Sequence, residues 1–392
     1  MITVDEALAH VLSLAQPPRP EVVPLAKAHG RALLEPAQAR LTQPPFDASA
    51  MDGYAMHAAD IAEPLTVIGT SAAGHPWTGT ARQGTAVRIF TGAPVPAGYD
   101  HVELQENVRR DGDHITVETR SQGSNIRKRG NDFCEGDAFP AGRRLTASDV
   151  GLLAAMNLPQ VTVARRPLVV ILAGGDELLA PGSAPQPGQI ISSNDLAVGT
   201  LAEEAGAEVR ILPIARDTED SLTERFAAAR DADLLVTIGG ASVGDHDLIG
   251  RVAADQGLER SFYKIRMRPG KPLLAGRLSA AAMLGLPGNP VSAITCGLLF
   301  MQPLIKAMLG LPPGLRQSRA RLKHAIPAEG PRQHYLRAQL SPGPDLPLVA
   351  PFRDQDSAQL SLMSQADALL VRPADDPARE AGDIMDVILL RD

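Results

Sequence analysis

Four short runs each follow an apolar stretch, and three of them combine glycine with carboxylates or hydroxyls, the remaining one offering a carboxylate alone. They are Ala173-Gly174-Gly175-Asp176-Glu177, Arg216-Asp217, Gly239-Gly240-Ala241-Ser242-Val243-Gly244-Asp245-His246-Asp247 and Gly288-Asn289-Pro290-Val291-Ser292. Glycine lets backbone N–H groups approach a phosphate, a following helix N-terminus favours the anion, and nearby acids can hold a divalent cation that the phosphate shares. Each run alone is explained by a tight corner and a helix cap. Together they point to one anion site, because each follows an apolar stretch that reads as a strand, and open parallel sheets bind ligands beyond their strand C-termini. Neither GxGxxG after the first of these strands nor GxxxxGK[ST] is present, which speaks against a Rossmann dehydrogenase and a P-loop NTPase.

A second constellation is cationic. In Tyr263-Lys264-Ile265-Arg266-Met267-Arg268-Pro269-Gly270-Lys271-Pro272, alternation predicts Lys264, Arg266 and Arg268 on one strand face, with a Pro-Gly turn delivering Lys271. This could receive an oxyanion, or be the solvated face of an edge strand. The third is Ser49-Ala50-Met51-Asp52-Gly53-Tyr54-Ala55-Met56, a tight loop presenting Asp52 or a surface turn capped by it. The nine histidines show no metal-ligand spacing, and Ser242 near His246 and Asp247 lacks a GxSxG elbow.

These residues need a scaffold. A length of 392 residues argues for two to four domains, and 44% apolar with 3% aromatic residues means cores of Ala, Leu, Val and Ile. Thirty-five glycines and 33 prolines require many sharp corners. The net charge of −7 disfavours a polyanion-coating role, leaving room for one small anionic ligand. Cys134 and Cys296 form neither a zinc motif nor a disulfide framework, so a reducing cytoplasm is expected. The N-terminus does not read as a signal peptide, and the apolar run Val291 to Leu309 is interrupted by Gln302, Pro303 and Lys306, as in a buried soluble helix.

Thr3 and Glu6 predict a capping box opening a helix, with a second helix-like segment from Leu25 to Leu34. Short strands follow at Leu65 to Ile68, Ala86 to Phe90 and Ile115 to Val117, with a hairpin at Asp111-Gly112-Asp113. The texture then changes to strands Leu168 to Leu172, Glu208 to Ile214, Leu234 to Ile238 and Ala281 to Leu286. Between them lie helices Leu196 to Ala205, capped by Asn194, Ser221 to Ala229 and Leu248 to Asp255, so a parallel sheet is expected. Asn289 should cap a long helix with Pro290 at its first position, and Pro303 should kink it. Beyond Leu311-Pro312-Pro313-Gly314, short strands at Leu336 to Leu340, Leu369 to Val371 and Ile384 to Leu390 suggest a small β-barrel or sandwich.

The ordered strings SAMDGYAM, RIFTGAPVP, LQEN, NIRKRGND, GDEL, GGASVGDHD, RPGKP and LPGNPVSA cover most of the chain. In them the sequence resembles the molybdopterin molybdenumtransferase family, the molybdenum insertases of the MoeA type. The resemblance implies a multidomain α/β and β fold in four parts: a discontinuous linker domain (1–40 and 140–166), an inserted β-rich domain (41–139), a doubly wound molybdopterin-binding α/β domain (167–312) and a C-terminal β-barrel (313–392). It implies a cytoplasmic homodimer acting on adenylylated molybdopterin and molybdate with Mg2+, inserting molybdenum and releasing AMP. Asp52, Asp132, Glu177 and Asp247 would be catalytic, Glu177 and Asp247 also serving the metal. Gly175, Asp176, Gly239, Gly240, Ser242 and Gly244 would bind the nucleotide-phosphate end. Lys271, Pro272, Gly288, Asn289, Ser292, Arg337 and Ser357 or Ser361 would line the pterin and molybdate side. Asp52 and Asp132 would come from the partner subunit. Three positions depart from the family pattern: Gly174 replaces a hydroxyl residue before Gly175-Asp176-Glu177, Ser192 replaces an acid before Ser193-Asn194, and Asp356 replaces a glycine before Ser357. A gephyrin-like scaffold and a molybdopterin adenylyltransferase are the competing readings; further partners would be the adenylyltransferase and molybdoenzyme maturation factors, with no nucleic acid and no membrane.

Overall fold

The computed structural model describes residues 1–239 and 248–391. At its centre is a six-stranded sheet in the order Glu208–Ile211, Leu168–Ala173, Leu234–Ile238, Ala281–Leu286, Pro272–Leu278, Leu258–Lys264. The first four strands are parallel and the last two add an antiparallel edge. Strands buried on both faces can be apolar at every position, and Leu234–Ile238 is buried throughout. Side-chain alternation divides the load: Val169 and Ile171 join one core, Val170 and Leu172 the other. Helix α3 (Asn194–Ala205) supplies Val198 and Ala202 to the first, while α4 (Glu219–Ala228) and α5 (Leu248–Asp255) supply Leu222, Phe226, Ile249 and Val252 to the second.

Two expected caps are made differently. Helix α3 starts at Asn194 after Ser193, which makes no side-chain capping bond, so Asn194 is in the helix rather than its cap. Asn289 does occupy the cap position of the helix opening at Pro290, but its side chain makes no capping bond. Both amides are engaged across the site described below. Helical geometry runs from Pro290 to Met308, with a π-turn over Gly297–Met301 directly before Gln302–Met308. This is how the chain accommodates Pro303, which cannot donate to the preceding turn. The run is apolar and long enough to cross a membrane, yet 72% of it is buried inside the protein, where Val291, Phe300, Leu304 and Ile305 join the first core.

The N-terminal helix α1 (Val4–Leu12) has the expected capping box between Thr3 and Glu6, and Val4, Ala7 and Val11 pack into that same core. Ile2 bridges Ile265, and Arg277 donates to the Leu14 carbonyl at 3.1 Å, so the chain start is fastened to the α/β unit. The expected helix from Leu25 to Leu34 is absent: a single 3-10 turn covers Leu25–Lys27, and Ala32–Leu33 is a strand. Gly30 between them has φ +73°, and Leu33 pairs with Val163. Here a tertiary pairing overrides local periodicity. Pro20–Pro24, Gln160–Ala164, Ala32–Leu33 and Arg143–Arg144 form an antiparallel sheet with its own core around Leu33, Leu145, Leu153 of helix α2 (Ala147–Ala155) and Val163.

Between the two passes of that sheet lies a six-stranded sheet in which Gly53–Met56 is paired on both sides, with Thr85–Ile89 and His101–Leu104. Tyr54 and Met56 face one small core, Ala55 with Val87 and Ile89 the other. The hairpin expected at Asp111-Gly112-Asp113 joins Val108–Asp111 to His114–Val117, with Gly112 at φ +58°. At the C-terminus, Gln333–Ser341 pairs with both Leu348–Pro351 and Ala368–Arg372, and these connect through Gln317–Leu322 and Ile384–Leu389 into a closed five-stranded barrel. Closure removes the free edges that short strands would otherwise expose.

Candidate functional site

The carboxyl ends of the parallel strands bring three of the glycine runs into contact. The Gly174 N–H donates to the Ile238 carbonyl and the Gly239 N–H to the Leu286 carbonyl, each at 3.2 Å, and Gly174 bridges Ala215. Gly239 has φ +88°, and a Cβ there would lie 2.9 Å from the Gly174 carbonyl oxygen; one on Gly288 would lie 3.6 Å from Gly239 Cα. At Gly239 both the positive φ and the close carbonyl leave room only for glycine, whereas a side chain at Gly288 would make ordinary contact. The Asn194 amide donates to the Gly288 carbonyl at 2.6 Å, tying the N-terminus of α3 to the same point.

Beside this contact sit the acids. Asp176 and Asp217 exchange bonds between their loops: the Asp217 N–H donates to Asp176 Oδ1 at 3.2 Å and the Asp176 N–H to Asp217 Oδ2 at 3.4 Å. Glu177 is exposed, and its carboxylate folds back over Gly175, where a Cβ would lie 2.5 Å from Glu177 Oε2. The structure therefore brings Gly175, Asp176, Glu177, Gly239 and Gly288 to one edge. Gly240, Ser242, Gly244 and Asp247 lie outside the described residues. Among the described residues no three His, Cys, Asp or Glu side chains stand close enough to hold a metal by themselves. The oxygen donors present suit Mg2+, which binds through one or two carboxylates and otherwise through water and substrate phosphates.

The barrel closes the other side. The Asn289 amide donates to Ser357 Oγ at 3.0 Å and the Val291 N–H to the Ser357 carbonyl at 3.1 Å, so the helix opening at Pro290 meets the 354–359 loop. Ser292 is buried in the first turn of that helix, and Ser361 lies exposed on Leu360–Gln365. The Gly270 turn packs on the same helix: Cys296 Sγ approaches the Gly270 carbonyl at 3.8 Å, and a Cβ on Gly270 would lie 2.5 Å from that sulfur. Burial pushes the Cys296 thiol up to about 12, so it is inert filling. Lys271 is exposed beyond this turn with Pro272 half-buried after it, and the Lys271 carbonyl accepts from the Ile265 N–H at 3.1 Å.

Two expectations are revised here. Lys264, Arg266 and Arg268 do not share one strand face: Leu258–Lys264 ends the α/β sheet, whereas Met267–Arg268 pairs with Gln333–His334 of the barrel. Burial still alternates, Ile265 and Met267 inside and Arg266 and Arg268 outside, but the segment is a bridge between two sheets. Arg337 is 1% exposed, and its guanidinium donates to the carbonyls of Gln359 (3.0 Å) and Asp354 (3.3 Å) and to Gln355 Oε1 (3.3 Å). It is engaged in holding the loop that carries Ser357. The Asp356 carboxylate accepts from the Ala358 N–H at 2.8 Å, within its own turn.

Asp52 precedes Gly53–Met56 of the six-stranded sheet, Asp132 precedes Phe133, which packs into the core around Leu33, and no hydrogen bond or ion pair among the described residues joins either acid to the glycine edge. Asp52 Oδ1 accepts from both the N–H and the hydroxyl of Thr91 at 2.7 Å, and these bonds hold its carboxyl below the usual range, with Arg88 nearby adding to the effect. Gly53 follows because a Cβ there would lie 1.8 Å from the Glu103 carbonyl oxygen. Asp132 is exposed, and its N–H donates to the Gln43 carbonyl at 3.0 Å. Sequence reasoning did not single out Asn194, Gln355 or Thr91 for these positions, and saw Asp217 only as part of a loop. Asparagine before a helix carries a capping signal, and nothing local reveals that its amide crosses to another loop.

Three family models match the chain: "MoeA N-terminal region (domain I and II)" over residues 2–157, "Probable molybdopterin binding domain" over 170–307 and "MoeA C-terminal region (domain IV)" over 319–390. A molybdopterin molybdenumtransferase of Nostoc sp. is 36% identical over 335 residues, covering 82% of this chain and 77% of that protein. One of Bacillus subtilis is 32% identical over 412 residues, covering 100% and 94%. A crystal structure titled as a molybdopterin biosynthesis MoeA protein of Pyrococcus horikoshii superposes with a TM-score of 0.84 at 30% identity over 100% of both chains.

Proposed function

The chain belongs to the molybdopterin molybdenumtransferase family, and from that premise we propose how its residues share the work. It is a transferase of molybdenum cofactor biosynthesis that inserts molybdenum into molybdopterin. The family match reaches residues 2–157 and 319–390, outside the α/β unit, which an adenylyltransferase reading leaves without a role. The relatives are named as transferases, which favours the enzyme over a scaffold.

In our reading the chain forms a cytoplasmic homodimer of four-domain protomers and takes adenylylated molybdopterin and molybdate as substrates. The contact of Gly174, Gly239 and Gly288 carries the argument, because it clears backbone for an anion at the strand ends while Ser357 enters from the barrel. Gly175, Asp176, Gly239, Gly240, Ser242 and Gly244 would embrace the nucleotide-phosphate end. Glu177 and Asp247 would hold Mg2+. When bound, that ion would neutralise charge on the phosphate oxygens as the anhydride breaks. Lys271, Pro272, Gly288, Asn289, Ser292 and Ser357 would orient the pterin and the tetrahedral molybdate dianion, for which an ammonium and hydroxyl donors are suited. Arg337 serves the same pocket through the loop it holds. Molybdate would exchange one oxo ligand for the two dithiolene sulfurs, that oxygen leaving as water with the two thiol protons, and a second water would cleave the phosphoanhydride, leaving a phosphate on the pterin and releasing AMP. Asp52 and Asp132 would act from the partner subunit, Asp52 as a base kept ionised by Thr91.

The test is direct. Purified protein with adenylylated molybdopterin and Mg2+ should release AMP faster when molybdate is added, with molybdenum retained on the pterin. AMP release indifferent to molybdate would overturn the reading, and net formation of adenylylated pterin from ATP would point to the adenylyltransferase.

A further inference from the structure

A cleft of about 880 Å³ opens at the far ends of the two helices that carry the site. Helix α3 has 12 residues and is therefore about 18 Å long. Its Asn194 end touches Gly288, while its Glu204 and Ala205 end lines the cleft. The helical run starting at Pro290 likewise reaches the cleft with Lys306. The cleft is thus well separated from the substrate edge.

Its charge is unlike that of the whole chain. Among the described residues, Arg143, Arg144, Lys306, Arg316 and Arg391 line it with a single acid, Glu204, in a protein of net charge −7. Arg143 is neutralised by Asp149 at 2.9 Å. Three of the others donate to backbone carbonyls: Arg144 to Glu204 (3.2 Å) and Ala205 (2.6 Å), Lys306 to Gly314 (2.7 Å), and Arg391 to Ser364. A carbonyl satisfies an N–H without cancelling the charge. Burial foremost, and then the positive charges of Arg144 and Arg316, hold the Lys306 ammonium below its ordinary range. Arg144 caps the C-terminus of α3, so the carbonyls that would repel an anion are covered.

The opposite wall is aliphatic, with Leu298, Leu315 and Ile388 among its residues, and among the described residues no aromatic ring lines the cleft. An ion alone leaves that wall unused, and a nucleobase finds no stacking partner. We infer that this cleft binds a small organic phosphate monoester, its dianionic head among Lys306, Arg144 and Arg391 and its apolar body against the leucines. The volume suits a small molecule, and a monoester carries nearly two charges at neutral pH.

Phenyl phosphate and inorganic phosphate, titrated calorimetrically into the full-length protein, test this. Phenyl phosphate should bind saturably and more tightly than inorganic phosphate. Lys306→Gln, which replaces a charged donor by a neutral one, should weaken it by about tenfold. Arg391→Gln lies beyond the last strand, keeps the fold, and should weaken binding similarly while leaving AMP release unchanged. Lys271→Gln, in the substrate pocket, should leave phenyl phosphate binding as it was. The inference is overturned if no saturable binding occurs, if both cleft variants bind like the wild type, if inorganic phosphate binds as tightly as phenyl phosphate, or if Lys271→Gln abolishes binding.

Discussion

Replacing Arg337 by methionine separates a residue that touches molybdate from one that holds the loop beside it. The substitution keeps an unbranched chain of similar reach in a position only 1% exposed, so no large cavity opens, but it removes the bonds to the Gln359 carbonyl at 3.0 Å, to the Asp354 carbonyl at 3.3 Å and to Gln355 Oε1 at 3.3 Å. Charged hydrogen bonds contribute about 1.5–3 kcal/mol at good geometry. Two of these are long, and burial without a carboxylate bond already pulls the Arg337 pKa below its ordinary value, with Asp354 and Asp356 opposing that pull. A loss of about 2–4 kcal/mol is therefore expected, in the loop and barrel rather than in the α/β core. The loop carries Ser357, which accepts from Asn289 at 3.0 Å, so loosening it should raise the KM for molybdate more than it lowers kcat. Urea unfolding followed by barrel-specific hydrogen exchange measures the first effect, and molybdate-dependent AMP release the second. A variant with wild-type exchange protection and a raised molybdate KM would refute the loop-holding argument and make Arg337 a direct ligand. Wild-type values in both would remove it from the site altogether.

Two further predictions concern Glu103 and the pairing of Asp52 with Asp247. Glu103 is fully buried; burial pushes its pKa up, but bonds from Ser121, Asn107 and His101 outweigh that and lower it from 4.5 to about 2. Its folded pKa is the lower one, so its contribution to stability is complete above about pH 4.5 and is lost as pH falls towards 2; Glu103→Gln should flatten that limb of the stability profile, as read by urea midpoints across the window. If Asp52 acts on the partner's α/β unit, Asp52→Asn and Asp247→Asn should each lower turnover by about a hundredfold or more while gel filtration still returns a dimer. Equal mixing after subunit exchange should then restore about a quarter of wild-type AMP release, since half the dimers are mixed and each has one intact site; no recovery would place both residues in one protomer's site.

Much of the α/β unit was legible because its signals are local. Leu234 to Ile238, apolar but for Thr237, and Ala281 to Leu286 are each followed by glycine or proline, and both strands form over those residues. Thr3 and Glu6 formed their box, since its partners are three residues apart. The helix expected at Leu25 to Leu34 failed for the opposite reason: Leu33 is committed to Val163, a partner 130 residues away that no window sees. The cationic alternation at Lys264, Arg266 and Arg268 was correct as a pattern of exposure, yet it concealed that the chain changes sheets between the first and the third.

The sequence by itself determined the family, through the order of its glycine and carboxylate strings, and the kinds of group offered to an anion. Residue type carries that information because glycine frees backbone and acids hold hard cations wherever they stand. Only the tertiary structure decided which of these groups meet. Gly174, Gly239 and Gly288 are distant in sequence and become neighbours through the parallel register of three strands. Arg337, charged and so expected to face its ligand, was turned to loop carbonyls by burial, because a guanidinium removed from water must spend its donors on whatever acceptors the fold presents.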